Sequence, residues 1–170
     1  MKIQGLEQRQ QIYEHIVRFP GSHFREIQRH LSLPVGTLQY HLGKLLDGKL
    51  IISKKDGEYV RYYALGLFTE MEKKLLSLLR QKPVRHIAVL LLTNNELNHK
   101  KLVSELKLSP ATTSWYLGKM LEAKVVKKRR KGKEVLYSLS RPDEVAKVIV
   151  AHRSSFLDEI VDRFIEIWER

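Results

Sequence analysis

The chain has 170 residues, of which 43% are apolar and 29% are charged, and it contains no cysteine. This length and apolar content allow one ordinary domain or two small ones with packed cores. The absence of cysteine excludes disulfides, zinc sites built on thiolates and cysteine nucleophiles. The formal net charge of +12 favours a polyanionic partner, usually nucleic acid and sometimes an anionic membrane.

Membrane insertion and secretion are not indicated by the sequence. The longest apolar run, residues 87–92, is too short to span a bilayer and predicts a buried helix instead. The first ten residues are polar and lack the apolar region of a secretory signal. We therefore expect a cytoplasmic protein.

Two parts of the sequence, residues 24–50 and 99–125, align with each other without a gap at an offset of 75 residues. Identical residues then coincide at several positions, among them Leu31 and Leu106, Thr37 and Thr112, Gly43 and Gly118, and Tyr62 and Tyr137. One register holds across about forty residues, which chance does not produce. The sequence therefore predicts two copies of one structural unit.

Each copy predicts three helices in the same order. The first helix is indicated by apolar residues at helical spacing, namely Ile12, Ile16 and Val17 in one copy and Ile87, Leu91 and Leu92 in the other. A short second helix, a tight turn and a third helix follow. In the second copy Ser109 is a suitable N-cap, and Pro110 suits the first helical position.

The third helix of each copy is followed by strand-like segments. Residues 50–52 and 59–65 flank Asp56-Gly57, and residues 125–126 and 135–139 flank a basic segment around Gly132. An Asp-Gly pair between two strands indicates a β-hairpin. Helix, helix, turn, helix and hairpin form a helix-turn-helix followed by a wing. The predicted fold class is mainly α with small β-hairpins (α+β).

Residues 37–45, Thr-Leu-Gln-Tyr-His-Leu-Gly-Lys-Leu, are followed by Gly48-Lys49-Leu50-Ile51. These residues resemble the recognition helix and wing entry of winged-helix regulators of the arsenic-repressor and multiple-antibiotic-repressor kinds. The repeated layout resembles archaeal transcriptional regulators with two tandem winged helix-turn-helix domains. The resemblance covers roughly residues 8–140 and implies a regulator that binds double-stranded DNA. Winged helices also serve as protein-interaction modules, so fold alone does not fix function.

Four segments are predicted. Domain 1 covers residues 1–66, a helical connector covers 67–81, domain 2 covers 82–140, and C-terminal helices cover 141–170. Thr69 and Glu72 form a capping-box pattern at the start of the connector. The net charge is +4 over residues 1–66, +10 over 67–140 and −2 over 141–170.

The acidic tail is expected to face protein rather than DNA. Its second predicted helix carries a broad apolar stripe, for which we favour homodimerisation. The alternative is that this helix folds back on its own domains. The predicted dimerisation residues are Phe156, Ile160, Phe164, Ile167 and Trp168.

DNA contacts are expected from the third helices in the major groove and from the wings on the backbone or in the minor groove. The sharpest feature is the second wing, which has six cations within residues 127–133. Tyr40 and Trp115 have an alternative role in packing against the wing or a neighbouring domain. The predicted DNA-binding residues are Arg25, Thr37, Gln39, Tyr40, Lys44, Lys54, Lys55, Lys100, Thr112, Ser114, Trp115, Lys119, Lys127, Lys128, Arg129, Arg130, Lys131 and Lys133.

Catalysis and cofactors are not indicated. The sequence has no Gly-rich phosphate loop, nucleophile elbow or paired carboxylates, so we expect no enzymatic activity. His23, His30 and His41 are candidate metal ligands, but no pair has the spacing of a helical zinc site, and we expect neither metal nor cofactor. The sequence marks no site for a small-molecule effector.

The predicted function is transcriptional regulation by a nucleoid-associated protein. Two alternatives remain open at this point. One is an architectural DNA-binding protein with little sequence specificity, which the small polar residues of the third helices favour. The other is a tandem winged-helix scaffold for protein interactions, which the cationic second wing disfavours.

Overall fold

The computed structural model describes residues 2–170, with side chains from residue 4 onward. The helices are α1 (Lys2–Arg18), α2 (Phe24–Leu31), α3 (Val35–Asp47), α4 (Glu70–Leu79), α5 (Lys82–Asn94), α6 (His99–Leu106), α7 (Pro110–Glu122), α8 (Pro142–Ala151) and α9 (Glu159–Trp168). The strands are β1 (Ser22–His23), β2 (Ile51–Asp56), β3 (Tyr59–Ala64), β4 (Glu96–Asn98), β5 (Val126–Lys131) and β6 (Glu134–Leu139). Over the residues described, no helix is both long and apolar enough to cross a membrane.

The chain forms two compact units, Met1–Ser77 and Leu78–Arg170. Each unit has a three-stranded antiparallel sheet, with strand order β1-β3-β2 in the first and β4-β6-β5 in the second. The second and third helices and the hairpin strands recur at the offset of 75 seen in the sequence. The predicted fold class, mainly α with small β-hairpins in a winged-helix arrangement, is confirmed.

The core of the first unit is formed by the apolar stripes of α1, α2 and α3 and the start of β2. These stripes exist because residues three and four apart share one face of a helix. Burying each Ile or Leu side chain contributes about 1.5–3 kcal/mol, so the stripes fix how α3 packs on the unit. The buried core residues are Ile12, Ile16, Ile27, Leu38, Leu42, Leu45 and Ile51.

Left-handed backbone positions end the second helix of each unit at matching places. Ser32 and Lys107 are the C-caps of α2 and α6, with φ of 52° and 54°. A left-handed residue at this point ends the helix and changes the direction of the chain before the next helix begins. The turn that separates the two helices of the helix-turn-helix therefore begins with the same backbone conformation in both units.

Both predicted hairpins are present, but the first loop lies one residue later than the Asp-Gly pair implied. Asp56 is paired with Tyr59, so the loop is Gly57–Glu58, and Lys131 is paired with Glu134, so the second loop is Gly132–Lys133. Gly57 and Gly132 have φ of 60° and 61°. A glycine with positive φ in the first of two loop positions is typical of a type II′ turn, which suits the twist of a hairpin.

The connector region forms α4, which contacts β2 and β3 through single side chains. Thr69 caps this helix: its Oγ1 accepts from the Glu72 amide, and the Glu72 carboxylate accepts from the Thr69 amide. This reciprocal pair is the predicted capping box. Tyr63 on β3 donates its hydroxyl to the Lys73 carbonyl at 3.3 Å, which joins α4 to the sheet.

The C-terminal helices pack on α5 in the second unit. Asp158 caps α9 and also accepts a hydrogen bond from Arg85 Nε at 2.9 Å, and both side chains are almost fully buried. The guanidinium of Arg85 lies 5.5 Å from the centroid of the Phe156 ring. The prediction that Phe156 belongs to the second tail helix is wrong, because a 3₁₀ turn over Arg153–Ser155 precedes it and α9 begins at Glu159.

Candidate nucleic-acid interface

The exposed face of α3 lies opposite the leucines that anchor the helix. Leu38, Leu42 and Leu45 are buried, whereas Gln39, Tyr40 and Lys44 are exposed. Thr37 is half-buried. The helix thus presents polar side chains on one face, as reading base edges in the major groove requires.

The corresponding face of α7 carries Thr112 and Ser114, whose hydroxyls already have hydrogen-bond partners within the second unit. Ser109 caps the helix by accepting from the Thr112 amide, and the Thr112 and Ser109 hydroxyls lie 2.8 Å apart. Ser114 Oγ lies 2.8 Å from His99 Nε2 on α6. Any external contact by either hydroxyl would compete with these hydrogen bonds, so the hydroxyls of α7 are less available to a partner than the exposed side chains of α3.

Both third helices carry an exposed aromatic ring next to a lysine one turn later. Lys44 Nζ lies 5.7 Å from the Tyr40 ring centroid, and Lys119 Nζ lies 4.3 Å from that of Trp115. Tyr40 is 57% exposed and Trp115 is 56% exposed. More than half of each ring is therefore accessible, and packing against the wing or a neighbouring domain stays the alternative role for both. A cation–π contact of this kind is weakly attractive at an exposed site, by about 0.5–1 kcal/mol, and favours a position of the lysine beside the ring.

The hairpin β5–β6 carries the densest cluster of basic residues in the second unit. Its cationic residues from Lys127 to Lys133 are all exposed. Arg129 differs from the others, because its Nε and Nη2 donate to the two carboxylate oxygens of Glu96 at 2.9 and 2.6 Å. This contact holds the pKa of Glu96 below its usual value. Across the described chain, the following wing cations have no ion pair: Lys127, Lys128, Arg130, Lys131 and Lys133.

The first wing is largely neutralised by its own unit. Lys54 Nζ lies 2.8 Å from Glu70 at the start of α4, and hydrogen bonds from Lys54 and Lys73 lower the pKa of Glu70 to about 2. Arg61 is buried and donates to Asp56 at 2.6 Å. Lys55 remains exposed on this hairpin. The two wings therefore differ in available charge although they share one fold.

The second helices contribute exposed basic residues near their starts. Arg25 on α2 and Lys100 on α6 occupy equivalent positions and are both exposed. Lys101 forms an i,i+4 ion pair with Glu105 at 2.8 Å, which also lowers the pKa of Glu105. Exposed pairs of this kind contribute little to stability and are readily exchanged for other partners.

Comparison with known proteins gives one match to a family model. Residues 6–76, which make up most of the first unit, are similar to the model of the HVO_0163-type N-terminal HTH domain. An uncharacterized HTH-type transcriptional regulator of Methanocaldococcus jannaschii, MJ1398, is 31% identical over 132 residues, which cover 78% of this chain and 33% of the relative. The present chain thus spans about a third of that relative's length.

Two solved structures are similar to about half of this chain. HlyU from Vibrio cholerae is 29% identical, with a TM-score of 0.44, over 49% of this chain and 89% of its own. The transcriptional repressor PagR of Bacillus anthracis is 29% identical, with a TM-score of 0.43, over 48% of this chain and 93% of its own.

The residues predicted to mediate dimerisation of this helix-turn-helix protein divide into two groups. Phe156 and Phe164 are buried inside the second unit, and Ile160 is half-buried. Ile167 and Trp168 are 71% and 51% exposed at the end of α9. Part of the stripe is therefore covered by the chain itself, as the alternative interpretation held, and its C-terminal end is not.

The histidines that were candidate metal ligands lie in packed surroundings. Among the residues that the structure covers, no three His, Asp or Glu side chains are placed to hold a metal ion. His41 is buried in α3, and burial, with the charge of Arg9, lowers its pKa. His30 and His15 rings lie 4.7 Å apart beside Phe19. These contacts are those of packed side chains.

Sequence reasoning missed the acidic partners of the two wings. Glu70 and Glu96 lie 16 and 33 residues from the cations that they pair with. Glu96 reaches Arg129 only because β4 pairs with β6 and β6 pairs with β5. The short strands β1 and β4 were not predicted, and without them no local pattern identifies these ion pairs.

Proposed function

We propose that the protein is a transcriptional regulator that binds double-stranded DNA through two winged helix-turn-helix domains. The observation that carries this proposal is the repeated exposed polar face of α3 and α7, combined with the cationic hairpin β5–β6 beside α7. The helix-turn-helix family of residues 6–76 and the regulator named among its relatives support it. In this proposal α3 and α7 enter the major groove and the wings lie on the backbone or in the minor groove.

The proposed division of the chain follows the sequence. Residues 1–66 form the first DNA-binding domain, 67–81 connect it, 82–140 form the second, and 141–170 form a tail that mediates homodimerisation. A cytoplasmic, nucleoid-associated location goes with this role. Catalysis is no part of the proposed role.

The two domains have different tasks in this proposal. Wing β5–β6 supplies phosphate contacts through its cations without ion pairs, and each neutralised phosphate steepens the salt dependence of log K by about 0.9. Helix α3 supplies base readout through Gln39, whose amide can pair with adenine. Thr37 and Lys44 flank it and position the helix on the backbone.

Binding titrations at two salt concentrations test the proposal. The protein is titrated against a random-sequence duplex and against duplexes from the region upstream of its own gene. The double substitution Lys128→Glu and Arg130→Glu should weaken binding to every duplex and flatten the salt dependence. Lys147→Glu is the control, because Lys147 is an exposed cation on α8 and outside the predicted interface. Gln39→Ala should change the preference among duplexes more than the mean affinity.

The outcomes distinguish the alternatives. Steep salt dependence with a preference for particular sequences supports the regulator. Steep dependence without preference supports an architectural DNA-binding protein, which the occupied hydroxyls of Thr112 and Ser114 favour. No binding at low salt contradicts both and leaves the protein-interaction scaffold. An effect of Lys147→Glu equal to that of the wing substitutions contradicts the assignment of the phosphate contacts to the hairpin β5–β6.

A further inference from the structure

A groove with a volume of about 680 Å³ lies between α2 and the hairpin β2–β3 in the first unit. We call it the α2 groove. It is lined by Arg25 and Arg29 from α2, by Tyr59 and Tyr62 from β3, and by His23 from β1. Sites for small organic ligands typically have volumes of about 300–1,000 Å³, so the α2 groove is large enough for one.

The two arginines give the α2 groove an available positive charge. Arg25 and Arg29 are four residues apart on one helix, so their side chains project from the same face. Both are exposed, and neither guanidinium has an ion pair or hydrogen bond with any residue that the structure describes. Arg61, by contrast, is tied to Asp56. Glu58 also lines the groove, so its formal charge is positive by one.

The opposite wall is aromatic and held in place. The Tyr59 ring stacks on His23, with centroids 4.6 Å apart and planes 18° from parallel. The guanidinium of Arg61 lies 5.5 Å from the same Tyr59 ring. Tyr59 nevertheless remains 49% exposed. An exposed ring that its neighbours hold in place loses little conformational entropy when another ring packs against it.

The second unit lacks this chemistry at the equivalent place. Ser104 stands where the first unit has Arg29, and Glu134 stands where it has Tyr59. Asn98 Nδ2 donates to Glu134 Oε1 at 2.8 Å, so a polar bridge occupies the position of the stacked His23 and Tyr59. The paired arginines and the aromatic wall are therefore features of this sequence and not requirements of the fold.

We propose that the α2 groove binds a small aromatic anion, with an acidic group on the arginines and a planar ring on Tyr59. Guanidinium groups bind carboxylate and phosphate through two parallel hydrogen bonds, so either acidic group fits this chemistry. Arg25 also belongs to the predicted DNA interface. On the basis of the proposed function, the bound anion competes with a DNA phosphate for this arginine and lowers DNA affinity.

Calorimetric titration of the full chain without DNA tests the site itself. The probes are benzoate and phenyl phosphate, with benzamide as an uncharged ring of similar size. We expect saturable binding of at least one anion and at least tenfold weaker binding of benzamide. Binding of benzoate alone assigns a carboxylate ligand, and binding of phenyl phosphate alone assigns a phosphate ligand.

Matched variants locate the binding. Arg29→Gln and Tyr59→Leu should each weaken the anion at least tenfold, whereas Lys107→Gln, an exposed cation at the end of the equivalent helix α6, should leave it unchanged. Equal binding of benzamide, no binding of either anion at ~10 mM, or an equal loss in Lys107→Gln would overturn the proposal.

A DNA titration with and without the bound probe separates this proposal from the proposed function. A fall in DNA affinity that is absent in Arg29→Gln supports competition, and full DNA affinity of the ligand-bound protein refutes it. Saturable anion binding by a protein that binds no DNA contradicts the proposed function while the groove assignment stands.

Discussion

Thr113 in α7 occupies the position that Leu38 occupies in α3. It is fully buried, and its hydroxyl has no hydrogen-bond partner among the residues that the structure describes. A buried hydroxyl without a partner costs about 1–3 kcal/mol relative to a matched apolar group. Burial of Thr113 therefore stabilises α7 less than burial of Leu38 stabilises α3.

Replacing Thr113 by valine keeps the shape of the side chain and removes the unpaired hydroxyl. We expect Thr113→Val to raise the free energy of unfolding by about 1 kcal/mol in urea titrations. Thr37→Val is the control, because Thr37 is a half-buried threonine of α3 and its change should stay within about 0.5 kcal/mol. An unchanged or lower stability of Thr113→Val would show that the hydroxyl is satisfied in solution.

At the scale of elements, the hairpin β5–β6 has a cationic surface, and one carboxylate, that of Glu96, pairs with one of its cations. Glu96 on β4 holds Arg129 through two hydrogen bonds. Glu96→Gln removes an anion from the proposed interface and releases Arg129 for phosphate. We expect duplex affinity to rise about threefold to tenfold at low salt, with the salt slope steeper by up to about 0.9.

The exposed pair of Arg141 and Glu144 on α8 provides the control for this prediction. Glu144→Gln makes the same change of charge outside the predicted interface and should alter DNA affinity by less than about twofold. If both variants bind DNA alike, net charge alone acts, and the role assigned to the Glu96–Arg129 pair is wrong.

The junction before α9 depends on the buried ion pair of Asp158 and Arg85. Asp158→Asn keeps an N-cap acceptor but leaves Arg85 without a counter-charge, which should cost about 3 kcal/mol of unfolding free energy. Asp162→Asn, which disrupts an exposed pair with Arg153, should cost less than about 1 kcal/mol. Denaturant titration of both variants compares the free energies of unfolding and so distinguishes a buried ion pair from an exposed one.

The same carboxylate gives a pH dependence. Burial alone would raise the pKa of Asp158, but hydrogen bonds from Arg85, His86 and the Ile160 amide outweigh it and lower the pKa. Because the folded pKa lies below the unfolded one, this stabilisation is complete above the unfolded pKa and is lost as the pH falls through the folded pKa. Stability of Asp158→Asn should therefore change less with acidification than that of the wild type.

The sequence predicts elements well where one helix or one turn decides the structure. The stripes through Ile12 and Leu38, the N-cap at Ser109 and the capping box at Thr69 are local patterns, and all are present. The α2 groove and the pairing of Glu96 with Arg129 were not predicted. They depend on how β1 and β4 align with distant strands, and the periodicity of a single segment holds no information about that alignment.

At the scale of the molecule, one fold is used twice with different charge and chemistry. The first unit neutralises its wing and has a groove with an aromatic wall, whereas the second keeps its wing cationic and replaces the aromatic wall with a polar bridge. In the proposed function, the second copy provides affinity through its cationic wing and the first copy provides base readout.

Homodimerisation is the prediction that belongs to the whole molecule. The exposed Ile167 and Trp168 lie at the end of α9, whose remaining apolar residues Val161, Phe164 and Ile165 are buried. Deleting the helix would expose this core, so point substitutions test the interface more cleanly.

We expect Ile167→Ser with Trp168→Ser to shift sedimentation equilibrium from a dimer to a monomer of about 19.9 kDa. Leu6→Ser, an equally exposed apolar residue on α1, should leave the dimer intact. A monomeric wild type, or equal dissociation by Leu6→Ser, contradicts an interface at the end of α9, because dimerisation there requires those two side chains to be buried by the partner.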